Sequence, residues 1–223
     1  MEIHKPKAAH SFREFLVEIG TIVCGILIAL GLEQAVEAFH WRHEVEAERA
    51  ALREEALQSL TSVAYRRAEE PCIERRLGEL EEGFRRQARG VPLGFRQPFA
   101  RPPIWVASTG TWDIAVSGQA LGHMVHKEKL SFSDAFDAYK EFGRLRNEED
   151  AVWRRLALIN HRDILSAGDW VELHQALGQA VGANERMKSM MTYILGSAAL
   201  GQRPLRFEAD DTTDLKAFCT SLF

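Results

Sequence analysis

The chain has 223 residues, a formal net charge of -4 and basic residues scattered among acidic ones. That length supports one anchor and one domain with a sizeable core, and the absence of a basic patch excludes the electrostatic footprint of a nucleic-acid binder. Ala, Leu, Glu and Arg dominate the middle of the chain while β-branched residues are sparse, which predicts an all-α protein.

Residues 1–14, MEIHKPKAAHSFRE, are polar and carry Lys5, Lys7 and Arg13. Phe15 to Leu32, FLVEIGTIVCGILIALGL, is almost wholly apolar and reads as a transmembrane helix. Beyond it the near flank holds Glu33 and Glu37, and the first arginine is Arg42. Cations close to a span resist translocation, so 1–14 is expected to be a cytoplasmic tail and 33–223 an exported helical domain, periplasmic in a Gram-negative cell.

The span is short: its 18 residues rise ~27 Å against a hydrocarbon core of ~30 Å. Glu18 at one end, and Glu33 with Gln34 at the other, are therefore expected at the membrane edges. A second reading gives these acids partners across an oligomer interface or an ion path. Gly20 with Cys24, and Gly25 with Ala29, are small residues four apart that form either a packing face for a homodimer or ordinary span composition. A cleaved signal peptide is the rival reading, with Ala29-Leu30-Gly31 as its site. Glu14 and Glu18 at the threshold of the run, and a helical pattern that continues past the site, argue against cleavage.

The string EIGTIVCGILIALGLEQAVEAFHWRHE resembles the start of a large group of uncharacterised bacterial single-pass membrane proteins. Its core maps to Glu18, Val23, Gly25, Ile26, Leu27, Ile28, Ala29 and Leu30, followed by Glu33, Gln34 and Trp41. The likeness covers about residues 14–49, and it implies an inner-membrane anchor with no known activity.

From Gln34 to about Glu70 no Pro or Gly occurs, and Val45, Leu52, Ala56, Leu60 and Val63 make an apolar stripe. The span is thus expected to continue into the first helix of an antiparallel bundle. Pro71 is expected to break or kink the chain and open a second helix, with Ile73, Leu77, Leu80, Phe84 and Ala88 as its stripe and with solvated outer faces. Residues 90–104, GVPLGFRQPFARPPI, form an extended crossover pinned by Phe95, Phe99 and Trp105. The alternative for this segment is a proline-rich ligand for a partner domain.

Ser108, Thr109 or Thr111 can cap a helix holding Trp112, Ile114, Ala115 and Leu121. Its small residues, Ala115, Ser117, Gly118 and Ala120, suggest close helix packing or a pocket lining. Ser131 or Ser133 is expected to start a long helix with Phe136, Tyr139, Phe142, Leu145, Val152, Leu156 and Ile159 inside. Asp169 with Glu172 is expected to box the start of the next, which runs to about Leu200 with Val171, Leu173, Leu177, Val181, Met187, Met191 and Ile194 inside. Gly201 to Pro204 ends it, and Thr212 or Thr213 caps a short helix with Leu215, Phe218 and Cys219.

Cys24 lies in the span, so Cys72 and Cys219 are the pair an oxidising compartment would bridge, with two free thiols as the alternative. Glu37, His40 and Glu44 share a helix face and His123 lies three before His126, but a metal site needs three or four convergent ligands. Asp113, Asp163 and Glu148-Glu149-Asp150 read as solvated acids. No P-loop, dinucleotide fingerprint, zinc-protease motif or nucleophile elbow occurs, so neither cofactor nor metal is expected. The expectation is an anchored bundle that binds a protein partner or shapes the envelope. Its alternatives are a ligand-sensing bundle signalling through a separate membrane partner, and an enzyme of unread type.

Overall fold

The computed structural model describes residues 12–197, 215, 216 and 218–223. Its elements are helices α1 (Phe12–Ala88), α2 (Gly110–Ser117), α3 (Ala120–His123), α4 (His126–Leu156) and α5 (Ala167–Gly196), with a 3-10 segment over Ala157–Ile164 between the last two. No strand occurs among the described residues. The fold is all-α.

Helix α1 is continuous for 77 residues and so about 115 Å long. Two helices meeting at Pro71 were expected, and the structure has one. Proline interrupts a helix by removing the bond to the carbonyl four residues back, here that of Arg67. Pro71 and Arg67 are both exposed, so the lost bond lies on the water side. Ile73 and the side chains of Arg66 and Glu70 on the opposite side are held in the bundle, which keeps the axis going. The helix stops at Gly90, φ +71°, where Gly90 N–H bonds Gln87 O and Val91 N–H bonds Arg86 O, a Schellman closure.

Residues 89–109 then travel back along α1 as an extended segment. Gly83 gives Phe95 room to lie on the helix, since a Cβ there would stand 2.6 Å from the ring. Phe99 is clamped at both backbone groups by the Asn160 side chain, at 2.8 and 2.9 Å. Trp105 stacks on Tyr65 at 4.3 Å, and Ser108 exchanges two hydrogen bonds with Ser59. Because this crossover returns the chain, α4 runs the same way as α1, and α5 runs back between them.

The short α2 starts after Thr109, whose hydroxyl makes no capping bond. The cap is tertiary: the Glu55 carboxylate of α1 accepts from Thr111 N–H at 3.0 Å and Trp112 N–H at 3.1 Å. Of the small residues near it, Ala115 is buried while Ser117 and Gly118 are exposed. Helix α4 opens at His126, before the serines expected to cap it, with Val125 at the N-cap and no side-chain cap bond. The box at the start of α5 is Ser166 with Asp169, three residues earlier than Asp169 with Glu172. Ser166 supplies the hydroxyl that Asp169 lacks. Val171 and Val181, expected inside, are 57% and 47% exposed, because α5 packs through Leu173, Ala176, Ala180 and Ala183 instead. The expected stop at 201–204 and the caps Thr212 and Thr213 lie outside the described residues; α5 ends at Gly196.

The core comes in two apolar blocks. Leu52, Ala56, Val63, Phe136, Phe142, Met187 and Met191 belong to the block nearer the N-terminal part of α1. Ile73, Leu80, Phe84, Trp153, Leu156, Leu173 and Phe218 belong to the far block. Between them, each of the three long helices buries polar side chains: Arg66, Glu69 and Glu70 on α1, Arg146 and Glu149 on α4, and Asn184 on α5.

Candidate functional site

Three places in the molecule carry chemistry. The first is the start of α1, where every described residue from Phe12 to His40 is exposed. It contains the one helical stretch, among the described residues, long and apolar enough to cross a membrane. Glu18, Glu33 and Gln34 flank it, and Gly20, Cys24, Gly25 and Ala29 are all bare. A Cβ on Gly20 or Gly25 would meet nothing, and Cys24 is a free thiol. The four small residues do not make one face. At ~100° per residue the Gly20/Cys24 pair lies about 140° around the helix from Gly25/Ala29, so a partner helix could use one pair at a time.

Where this stretch joins the bundle, the Trp41 indole donates to Glu37 at 3.3 Å and stacks on the His123 ring at 4.0 Å. Arg49 then grips Glu128 of α4 at 2.6 and 2.9 Å. No group of three or more metal-ligating side chains forms among the described residues, and the His123 face points to Trp41.

The second place is the polar layer between the two apolar blocks. Arg66 of α1 is wholly buried. Its Nε and Nη2 donate to Glu149 of α4 at 3.1 and 2.6 Å, its Nη1 to Glu70 at 2.9 Å, and Nη2 also to Asn184 of α5 at 2.7 Å. Asn184 closes the ring by donating to Glu70 at 2.8 Å. Arg146 donates to Glu149 and to the Pro103 carbonyl of the crossover. Glu69 takes the Trp105 indole at 2.5 Å on one oxygen, while its other oxygen has no hydrogen-bond partner and stands 4.0 Å from Arg146.

The layer therefore sets three carboxylates, Glu69, Glu70 and Glu149, against two guanidiniums, Arg66 and Arg146. Burial would raise the Glu149 carboxyl, but Arg66 and Arg146 outweigh it and hold it below its ordinary range. Burial likewise works against the Arg66 charge, and Glu149 with Glu70 overcome it. Glu69 is the member left over: burial pushes it up to about 7, against the pull of Arg146. One proton on Glu69 balances the layer. Of the run Glu148-Glu149-Asp150, expected to be solvated, only Glu148 is, paired with Arg144 on the surface; Glu149 is buried, and Asp150, its side chain 12% exposed, is largely covered and pairs with Arg101 and Arg154.

The third place is the C-terminal end. Cys72 of α1 and Cys219 are bridged, with Cα atoms 5.0 Å apart. Buried Arg76 donates to the carbonyls of Phe218 and Thr220 at 2.7 and 2.8 Å. Burial lowers the Arg76 pKa from its ordinary value, partly offset by Glu79. Glu79 in turn receives Ser221 Oγ and Leu222 N–H, and Leu222 O accepts from Arg96 of the crossover. Phe218 and Leu222 are buried, so the disulfide, two hydrogen-bonded side chains and two apolar anchors hold this end together.

Outside these places, an open groove of about 700 Å³ lies between α4 and α5, with small residues Ala151, Gly178, Gly182 and Ala183 in its lining and with Arg155–Gln179 and Glu148–Arg186 contacts crossing it. Asp113, another sequence candidate, is an exposed acid paired with Lys140 at 2.6 Å. Asp163 is exposed at the 3-10 segment.

Comparison of the chain with models of known protein families, with curated proteins and with solved structures returns no match. The class that fold and geometry define is an all-α chain whose longest helix begins as a bare, candidate membrane-crossing stretch and ends inside a polar-layered bundle.

Proposed function

We propose that this chain is a single-pass bacterial inner-membrane protein with its N-terminus in the cytoplasm and its bundle in the periplasm. There it binds a protein partner or a structural component of the envelope. The observation that carries the reading is the unbroken course of α1. An apolar stretch with nothing packed against it passes without a joint into the core of a bundle, so the bundle is rigidly tied to whatever covers that stretch. A lipid bilayer is the solvent that suits it.

Two features support the orientation. The cations before the span, Lys5, Lys7 and Arg13, face acids after it, Glu33 and Glu37. The Cys72–Cys219 bridge suits an oxidising compartment. The partner role is supported by the open α4–α5 groove, whose small lining residues would admit a helix or extended chain once the contacts crossing it part. A homodimer through one small-residue pair of the span is compatible with the same arrangement.

Crosslinking in intact cells, followed by mass spectrometry of the purified adducts, tests the partner role. Recurrent adducts from photo-crosslinkers at Gln175 or Gln179 to a protein or envelope component support it. Adducts no richer than those from the solvent-facing Arg162 contradict it.

A further inference from the structure

We infer that α1 pairs with α1 of a second copy of this chain, as a parallel two-stranded coil that starts inside the bilayer and ends at the foot of the bundle. The inference rests on the reading of α1 as a span, and it names the face and the partner that the span uses.

A seven-residue repeat runs along the bare part of α1. Ile22, Gly25, Ala29 and Leu32 follow one another at steps of three, four and three in the apolar stretch. Val36, Phe39 and His43 continue it beyond the span at steps of four, three and four. These are a and d positions, and a strict seven-residue period holds them on one seam when two helices wind around each other. Gly25 and Ala29 fall on the seam, and a Cβ on Gly25 would meet nothing of its own chain. Gly20 and Cys24 take the f and c positions, away from it.

Lipid does not cover the whole seam. Phe39 lies about 10.5 Å and His43 about 16.5 Å past Leu32, whereas the headgroup layer is about 5–7 Å deep. Drawing a short span in by ~1.5 Å at each side still leaves Phe39 in water. Yet Val36 is 71% and Phe39 77% exposed.

The chain's own bundle does not cover it either. At ~100° per residue, Trp41 and Val45 lie roughly 170° and 150° around α1 from the middle of the Val36–Phe39 seam. They are the residues turned to the bundle, Trp41 stacking on His123 and Val45 entering the core. Higher up, Ala47, Ala50 and Glu54 continue the seam side and are exposed. Two bundles can therefore stand on the outer sides of a pair of α1 helices.

A second copy is the occupant that fits. Spans of one protein share one orientation in the membrane, so their seams meet parallel and in register, Phe39 opposite Phe39. In that register Glu33 at e faces Ile28 at g, and Arg42 at g faces Ala47 at e, so no like charges oppose each other. Two such seams with their flanks bury on the order of 1,000–1,500 Å², the size of a specific pair.

The test uses the full-length chain with Cys24→Ala in phosphatidylcholine–phosphatidylglycerol vesicles. Single cysteines are placed on the seam (Val36→Cys, Phe39→Cys or His43→Cys) or off it (Gln34→Cys or Ala38→Cys) and oxidised with copper phenanthroline. Flotation with the vesicles reports the anchor separately. The expected result is a covalent dimer several-fold more abundant from the seam positions, undiminished as lipid is added in excess. Phe39→Glu lowers the His43→Cys crosslink several-fold, whereas Ala38→Glu leaves it, with flotation and helical content unchanged in both. Flotation with monomer alone, or with crosslinks as strong at 34 and 38 as on the seam, overturns the pairing and leaves the anchor standing. Failure to float overturns the anchor and the pairing with it.

Discussion

The Arg66 guanidinium of α1 and the Glu149 carboxylate of α4 meet at 2.6 and 3.1 Å with neither side chain reaching water. This pair ties together two helices separated in sequence by the whole crossover, at a level where the apolar core is interrupted. Taking two charges out of water costs several kcal/mol each, and only good geometry with further hydrogen bonds offsets that. Here Glu70, Asn184 and Arg146 supply them.

Removing one partner leaves the other charged and buried. Arg66→Ala or Glu149→Ala is expected to destabilise the fold by about 3–5 kcal/mol. Denaturant melts of the full-length chain in detergent, followed by circular dichroism, measure this. The exposed pair Lys140–Asp113 provides the contrast, with Lys140→Ala costing under about 1 kcal/mol.

Glu69 gives the layer a pH signature. Its folded pKa is raised to about 7 by burial, above the unfolded value of 4.5. A raised acid contributes stability that is fully present below the unfolded pKa and is lost as pH climbs through the folded one. The loss therefore falls between about pH 4.5 and 7 and is of the order of 3 kcal/mol. Glu149 acts the other way, since its depressed pKa withdraws stability as pH falls below the unfolded value. Glu69→Gln should flatten the slope between pH 5 and 7 and make the chain relatively more stable at pH 8. Melts across that range show whether it does, and an unchanged slope would remove Glu69 as the titrating group.

Much of this was legible in the sequence, and the reasons for the rest are specific. The bare span, the Pro-rich crossover with Phe99 and Trp105 as its pins, and the buried stripe from Ile73 to Phe84 follow from composition and periodicity. Periodicity marks faces by apolar residues, so it skipped the polar members of those faces. Arg66 and Glu70 fill the gap between Val63 and Ile73 at helical spacings of three and four, Glu149 lies between Leu145 and Val152, and Asn184 precedes Met187 by three. Polar residues at core positions on three helices, charged on α1 and α4 and an asparagine on α5, were the available signal. The course of α1 through Pro71 was not legible, because tertiary packing on the opposite side decides whether a proline ends a helix. The Glu55 cap on α2 was equally hidden, since its partner lies on another helix.

Pro71 itself offers a gain. Its ring is exposed and its backbone is helical, so Pro71→Ala restores the bond to the Arg67 carbonyl without disturbing the core. The expected stabilisation is roughly 1–3 kcal/mol, after allowing for the freer unfolded chain. Denaturant midpoints of the two proteins measure it. A loss of stability would mean that the helix needs the geometry proline imposes there.

The Cys72–Cys219 bridge closes a loop with a sequence separation of 147. For a loop of that size the chain-entropy contribution is at most about 5 kcal/mol. Cys219→Ser is expected to cost about 2–5 kcal/mol and to speed hydrogen exchange at Leu222 N–H, which bonds Glu79. Exchange at the amides of Val63 and Phe142, in the other core block, should rise less.

The central claim is that α1 crosses a membrane and places the bundle outside the cytoplasm. Labelling of Ile164→Cys by a membrane-impermeant maleimide, in intact bacterial spheroplasts carrying the full-length Cys24→Ala chain, tests it most directly. Ile164 is 83% exposed at the far end of the bundle. The account predicts labelling before lysis that lysis does not increase, on a protein that stays in the membrane pellet after alkaline extraction. Labelling only after lysis, or release of the chain by alkali, would contradict it.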